Sequence, residues 1–409
     1  MWVSAYFDER EIELSFPDHW QVLECRMVGH DWPALSDDEL RAALCRPVGT
    51  ARLAELARGA RQVCIVFDDL TRPTPASRVI PFVLEELHAG GVDDECIRFL
   101  CAPGAHRPMV YPEMAAKLGR AIVEKYLVYN HSVWENLVHV GEARTGMPVD
   151  LNREYMACDL RIGIGSFYPH TSAVISGGAK LVVPGVAGMD TIAHLHAHTY
   201  DDRGIKYCGV GNVDGCEFRR NIEEAVRMAG LEFKIDVSLN NRREIVSLWA
   251  GDFVAEHRLG AEEARRLYYT QPAYDADVVV VNTYPTDGQI VRVHPHVDVS
   301  MRAGGDVVIV DYAWDGITLH QIDSRFGTDF GGRGFARGVF HRGVAKADRV
   351  YLLAPHLSRY DAEQMAPRDK LVWCKEWGEV LTHLTARHGT ASKVAVYPYA
   401  PLQIVAPAY

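Results

Sequence analysis

Short runs of β-branched and aliphatic residues, most ending in a cluster of polar residues, alternate along this chain with longer amphipathic stretches. A period-2 or continuous apolar run of this length makes a strand and a 3.6-residue period makes a helix, so the alternation predicts strands and helices interleaved around mostly parallel sheets. Strands are expected at Gln62 to Phe67, Cys96 to Ala102, Leu160 to Gly165, Asp277 to Asn282, Asp306 to Asp311 and Arg349 to Ala354. Helices are expected at Ser77 to Ala89, Asn221 to Ala229, Ala261 to Tyr269 and Glu376 to Arg387. The segment EFKIDVSLNNRREIVSLWAGD reads as a hairpin turning at Asn240-Asn241, after which a helix leads into a new series of strands. At 409 residues the chain exceeds one compact core. The expectation is an α/β protein of two domains, each with a mostly parallel sheet flanked by helices and the active site in the cleft between them. Residues 1–268 form the first domain, joined by 398–409, and residues 269–397 form the second.

Composition narrows the partners. A formal charge of −11 offers no basic field for a nucleic-acid backbone. The N-terminus MWVSAYFDEREIELSF is charged within its first ten residues, and no apolar stretch approaches the roughly 18 residues that cross a bilayer, so neither a secretion signal nor a membrane contact is expected. Nine dispersed cysteines without a CxxC pair do not read as a disulfide framework and fit a reducing, cytoplasmic setting.

Polar motifs follow the first three expected strands, and ligands of open α/β sheets bind outside the carboxyl ends of such strands. DDLTRPTP, Asp68 to Pro75, follows the first. There Thr71 and Arg72 beside two prolines either present a guanidinium and hydroxyls to an anion or form a helix-capping turn with Arg72 paired to Asp68 or Asp69. APGAHRPM follows the second strand and SFYPHTSAVISGGAK the third, bringing His106 and His170 to neighbouring strand ends. Two imidazoles on opposite faces are what a racemase needs, and an ordinary histidine pKa of about 6.5 suits both acid and base roles. In the run Ser176, Gly177, Gly178, Ala179, Lys180, the glycines could bring backbone amides close to an anion while lysine supplies a nucleophile or a charge; the spacing is not that of a P-loop. DTIAHLHAHTY carries His194, His196 and His198. His194 and His198 share a helical face at i, i+4 and could bind zinc, but Leu195 stands where HExxH has glutamate; the other reading is a single metal ligand, His196.

Taken in order, these motifs resemble the lactate racemase family, whose signatures are a DDxTRP turn, a GxHR turn, an HxxxxxSGGxK run and PGxAxxxTIxxxH. Here they stand at Asp68 to Pro73, Gly104 to Arg107, His170 to Lys180 and Pro184 to His196. The resemblance spans roughly residues 60 to 200, including Asn152-Arg153 ahead of the third strand. It implies a racemase or epimerase of a 2-hydroxy acid that works by hydride transfer to and from a nickel-pincer nucleotide, a pyridinium thioamide/thiocarboxylate mononucleotide built by dedicated maturation enzymes. By motif position Lys180 carries the covalent link, His196 ligates nickel, and His106 and His170 are the acid/base pair. Asp69, Thr71 and Arg72, with Ser176, Gly177 and Gly178, hold cofactor or substrate.

One departure bears on the substrate. Where the family has a Tyr-Gln-x-x-Lys cluster after the YP motif that opens the second domain, this chain has Tyr284-Pro285-Thr286-Asp287 followed by Gln289, Arg292 and His294, with Pro295 at the lysine's place. Tyr284, Arg292 and Arg72 are therefore the expected substrate contacts, and a bidentate Arg292 favours a larger or doubly charged acid such as malate, or a sugar acid, over lactate. Val174 replaces the family's usual glycine beside the lysine run. The alternatives are a zinc hydrolase or lyase built on His194 and His198, and a non-catalytic protein of the same fold that binds a small acid.

Overall fold

β1 (Gln21–Glu24) pairs in parallel with the chain's last strand, at Lys393–Tyr397, and this pairing sends the N-terminus into the C-terminal half of the protein. In the computed structural model, which describes residues 1–170, 172–197, 213–289, 292–318, 344–389 and 391–405, two compact units result. One is Trp32–Arg265, here the first unit; Met1–Asp31 and Arg266–Pro407 make the second. The sequence reading put the boundary near residue 270 and gave residues 1–268 and 398–409 to the first domain; here the division lies at Arg265/Arg266, and the first 31 residues and residues 398–405 group with the second unit. The reason is edge pairing: β1 is a short, exposed strand with no apolar run to announce it, and it is held by its ladder.

The first unit's sheet has six strands. They are β2 (Val63–Asp68), β3 (Ile97–Ala102), β4 (Leu127–Asn130), β5 (Leu160–Ser166), β6 (Phe233–Leu239) and β7 (Ile245–Gly251), in the order β7-β6-β5-β2-β3-β4. All pairs are parallel except the β6–β7 hairpin, which is the one expected at Asn240-Asn241. Every residue of β2 is buried, which is why the strand reads as a continuous apolar run: both of its faces are covered. Helices α1 (Ala76–Ala89), α2 (Tyr111–Leu118), α3 (Met189–Ala197), α4 (Glu217–Ala229) and α5 (Ala255–Leu267, whose last two residues pass into the second unit) follow the strands. In α1, Val79, Ile80, Val83 and Leu87 recur at helical spacing and are buried, each apolar side chain of this size contributing about 1.5–3 kcal/mol on burial.

The second unit's sheet is also six-stranded and wholly parallel. Its further strands β8 (Ala276–Asn282), β9 (Met301–Val310), β10 (Arg349–Leu353), β11 (Leu371–Cys374) and β12 (Lys393–Tyr397) lie in the order β11-β10-β9-β8-β12-β1. Among the described residues no helix is long and apolar enough to cross a membrane. Among the described residues seven cysteines are free thiols.

His131 ties this frame together beside the loop that leads into α3. Its Nε2 donates to the Ala187 carbonyl at 2.9 Å and its Nδ1 accepts from Asn152 Nδ2 at 3.2 Å, while Asn152 Oδ1 caps the next turn of helix at Glu154 and Tyr155. Both ring nitrogens are thus used by the neutral form, and burial lowers the pKa to about 4. Between pH ~6.5 and 4 the unfolded chain takes up a proton that the folded chain refuses, so this stability is present above pH ~6.5 and lost as pH falls, by at most about 3 kcal/mol. His131→Gln, which keeps a donor for Ala187 but cannot titrate, should show a shallower decline of Tm between pH 7 and pH 4.5 than the wild type; parallel declines would refute this account.

Candidate active site

The loops after β3, β2 and β5 leave three adjacent strands of one sheet, so the motifs separated in sequence share one carboxyl edge. At the end of β2, Asp69 Oδ2 lies 2.7 Å from His106 Nδ1, and its Oδ1 accepts from Thr71 N at 3.1 Å and Thr71 Oγ1 at 2.5 Å. Burial would raise the Asp69 carboxyl, but His106, Arg72 and the Thr71 hydroxyl hold it well below the usual carboxylate range. The carboxylate fixes the His106 proton on Nδ1 and turns Nε2 into the basic nitrogen. Burial lowers the His106 pKa against the pull of Asp69, and Arg72 and Lys180 lower it further. Arg72 lies over the Tyr168 ring, 5.6 Å from its centroid. Asp68 is engaged with Lys117 and Thr74, and Asp69 with His106 and Thr71, while the Arg72 charge lies close enough to Asp69 to favour its ionised form.

Lys117 of α2, absent from the expectations, supports the same turn from below. It is wholly buried, ion-paired to Asp68 at 2.5 Å, and donates to the carbonyls of Asp69 at 3.1 Å and Arg72 at 3.0 Å. Arg107, of the GxHR motif, forks onto Glu113, which in turn accepts from Val110 N at the start of α2. Both residues hold backbone.

His170 starts a small hairpin in which Pro169–His170 pairs with Val174–Ile175. Its Nδ1 accepts from Ser172 N at 3.1 Å and Ala173 N at 3.2 Å, which places the ring proton on Nε2. The rings of His170 and His196 both pack near Phe218 of α4, at centroid distances of 6.4 and 5.9 Å. Lys180 lies in a buried turn, Gly178–Leu181, entered through Gly177 at φ +91° and Gly178 at +58°. A Cβ on Gly177 would meet Asp236 Oδ2 at 2.7 Å and one on Gly178 the Phe253 carbonyl at 2.8 Å, so only glycine fits either place. Ser176 N donates to the Tyr168 carbonyl at 2.8 Å.

His196 donates from Nδ1 to the Ile192 carbonyl at 2.7 Å, which leaves the lone pair on Nε2, the form a metal ligand needs. Burial lowers its pKa, and Lys180 and His106 are close enough to lower it further. His194 Nε2 instead lies 3.3 Å from Thr145 Oγ1, itself bonded to Asn221. His198 lies outside the described residues, and among those described no group of three His, Cys, Asp or Glu is placed to hold a metal.

Tyr284 and Arg292 belong to the second unit. Tyr284 is fully buried, donates its hydroxyl to Glu9 and packs edge-on against Tyr399 at 5.3 Å. Arg292 Nε donates to Gln289 Oε1 at 2.9 Å. Buried Asp311, pushed up to about 6 by burial, accepts from Gly288 N and Ala313 N and holds the turn after Tyr284.

Val174 is strained: a β-branched residue at φ +66°. A buried valine changed to glycine ordinarily costs about 3 kcal/mol or more, but here relief of roughly 1–3 kcal/mol of backbone strain offsets the loss. Val174→Gly should therefore lower the unfolding free energy in urea by no more than about 2 kcal/mol; a loss of about 3 kcal/mol or more would contradict the strain.

Residues 7–206 match the family model described as the lactate racemase N-terminal domain. The chain is 31% identical over 290 residues to a lactate racemase of Lactiplantibacillus plantarum, covering 69% of this chain and 68% of that protein. It is 29% identical over 289 residues to a lactate racemase of Thermoanaerobacterium thermosaccharolyticum, covering 68% and 66%. The lactate racemase apoprotein structure from the latter organism superposes with a TM-score of 0.73 at 23% identity over 99% of each chain. A crystal structure of a Thermotoga maritima protein gives 0.64 at 18% identity over 91% of this chain and 99% of that one. The two structures show the shared α/β fold; the sequence relatives show that this chain is a racemase-type isomerase and belongs to the lactate racemase family.

Proposed function

We propose that this enzyme racemises or epimerises a 2-hydroxy acid with a nickel-pincer nucleotide attached through Lys180. The observation that carries the reading is the convergence, in one unit, of Lys180 with two imidazoles whose tautomers are fixed with a lone pair on Nε2, His106 by Asp69 and His196 by the Ile192 carbonyl. These residues fit the group: His196 has the ligand tautomer, Lys180 is buried beside it, and Arg72 and Lys180 make the pocket cationic enough for an anionic nucleotide or acid. When bound, the nickel-pincer nucleotide supplies a hydride acceptor, which the reaction needs because the α-hydrogen of a free 2-hydroxy carboxylate is too weakly acidic for a histidine to remove as a proton.

The chain's own residues then handle protons and position. His106, with its proton held on Nδ1 by Asp69, takes the hydroxyl proton at Nε2, and Asp69 stabilises the imidazolium that forms. His170 is set as the donor, with its proton on Nε2, and gives it to the substrate oxygen from its own side; in the reverse direction the roles exchange. Asp69, Thr71 and Arg72, with Ser176, Gly177 and Gly178, hold cofactor or substrate. In the second unit Arg292, its fork oriented by Gln289, is the proposed carboxylate clamp, and buried Tyr284 shapes the same loop, which favours a malate-like or sugar acid over lactate. The protein acts after maturation enzymes have built the cofactor, in the cytoplasm, on a small acid. The zinc alternative has less support, because His194 is turned to Thr145.

Intact-protein mass spectrometry and nickel analysis on protein co-expressed with the cofactor-maturation enzymes test this directly. The wild type should carry an adduct of nucleotide size with about one nickel per chain, both lost in Lys180→Ala, because ligand set and attachment depend on each other. His106→Gln should keep the adduct and lose roughly a hundred- to ten-thousandfold in kcat for configurational exchange. Absence of adduct and nickel from the wild type, in a host that matures a known family member, would overturn the reading. A loaded protein that exchanges no hydroxy acid would mark it as a binding protein.

A further inference from the structure

The loop from His170 to Lys180 is held from beneath by charged side chains that play no part in the chemistry above. Arg219 of α4 is fully buried, and its fork donates to three loop carbonyls: Nη1 to Gly177 at 2.9 Å, Nη2 to Ala173 at 3.3 Å and to Ile175. His257 of α5 lies with Nε2 3.0 Å from the Ser176 carbonyl. Asp236 of β6 accepts from Gly178 N at 2.6 Å and pairs with buried Lys234 at 2.6 Å. Four carbonyls and one N–H between residues 173 and 178 are thus bound by side chains from three elements of the fold.

Such a loop must pair its buried peptide groups somewhere, and the left-handed residues Val174, Gly177 and Gly178 keep it from continuing as a long strand or helix that would pair them all. A guanidinium is suited to the task because its planar fork reaches several acceptors at once in fixed directions, whereas an ammonium is a single point of charge. Burying a cation costs desolvation, and an apolar side chain would fill the same volume more cheaply, so a buried arginine here is weak evidence for added stability. What it provides is one arrangement of the carbonyls among several that the strained loop could adopt. The neighbouring carboxylates of Glu223 and Asp236 favour its charged form.

We propose that Arg219 is a positioning residue for the lysine loop, holding residues 173–178 in the conformation that presents Lys180 for attachment and His170 for proton transfer. This rests on the reading that Lys180 carries the cofactor. Arg219 touches neither substrate nor cofactor and acts through the loop backbone.

The test compares the wild type with Arg219→Lys and Arg219→Met by three measurements: thermal unfolding, amide hydrogen exchange and mass analysis. Exchange is followed across the apoprotein. The fraction of chains carrying the Lys180 adduct is measured after co-expression with the maturation enzymes. Arg219→Lys keeps the charge and the length but not the fork. It should keep Tm within a few degrees of the wild type while amides of residues 173–178 exchange about three- to tenfold faster, the sheet strands stay unchanged and the adduct fraction falls at least about threefold. Arg219→Met should show larger changes confined to the same loop; if it fails to fold, Arg219→Lys decides alone. Loop exchange equal to the wild type in Arg219→Lys, or a rise spread evenly over the whole unit, overturns the proposal, since a residue that only stabilises the core would move Tm and every amide together. A wild type without adduct would sink the Lys180 reading instead, and the exchange data would still decide whether Arg219 orders the loop.

Discussion

A mostly parallel sheet covered on both faces seals in whatever charges its strands carry, and the first unit depends on how those buried charges are paired. Asp68 with Lys117, and Asp236 with Lys234, put carboxylate and ammonium together inside the fold at 2.5 and 2.6 Å. An unpaired charge in such surroundings would cost several kcal/mol, so each pair is obligatory once one member is present. The spare hydrogen-bonding capacity of these groups goes to the loops above. Lys117 binds the carbonyls of Asp69 and Arg72, Asp236 binds Gly178 N, and Arg219 binds Ala173, Ile175 and Gly177. The reactive loops are thus fixed to the sheet by electrostatics that water does not reach and salt screens little.

That foundation determines the state of the histidines. His106 keeps its proton on Nδ1 because Asp69 stays ionised, and Asp69 stays ionised because His106, Arg72 and Thr71 surround it. His170 has the opposite arrangement, its Nδ1 facing two backbone N–H groups. The tautomer of His106 is thereby set by a carboxylate distant in sequence, that of His170 by backbone two and three residues away, and that of His196 by one helical carbonyl. The cationic neighbours Arg72 and Lys180 keep all of this suited to an anion while disfavouring the charged form of the imidazoles.

The second unit shows how chain ends can be recruited. The N-terminal segment supplies an edge strand to the sheet, the Glu9 carboxylate to the Tyr284 hydroxyl and the Trp2 carbonyl to Asn282. The turn after Tyr284 is held twice more, by Asp311 on Gly288 N and by Ala5 N on Asp287. A loop of this kind, rich in threonine, aspartate and glycine, would otherwise sample many conformations at a cost of about 1–2 kcal/mol per residue ordered.

Much of the architecture was legible in the residues alone. Val63 to Asp68, Ile97 to Ala102, Leu160 to Ser166, Ala276 to Asn282 and Arg349 to Leu353 lie within a residue of where apolar runs placed them, because a strand buried on both faces can be built from little else. Half-exposed strands such as Leu127–Asn130 and Gln21–Glu24 carry no such run and were missed, as was the place of the N-terminus. His106, His170, Lys180 and His196 were legible because motifs keep their order and spacing in the chain. Lys117, Arg219, Lys234 and Asp236 were not, since a charged residue on an amphipathic helix or in a strand looks the same in sequence whether it meets solvent or is sealed inside. The family, the strands and the candidate side chains were therefore marked by the sequence, which carries local pattern directly, and the tautomers of His170 and His196 follow from backbone within four residues of each. Which charges are buried, which carbonyls they bind and which nitrogen of His106 bears the proton were decided by tertiary structure, because those depend on partners brought together from distant parts of the chain.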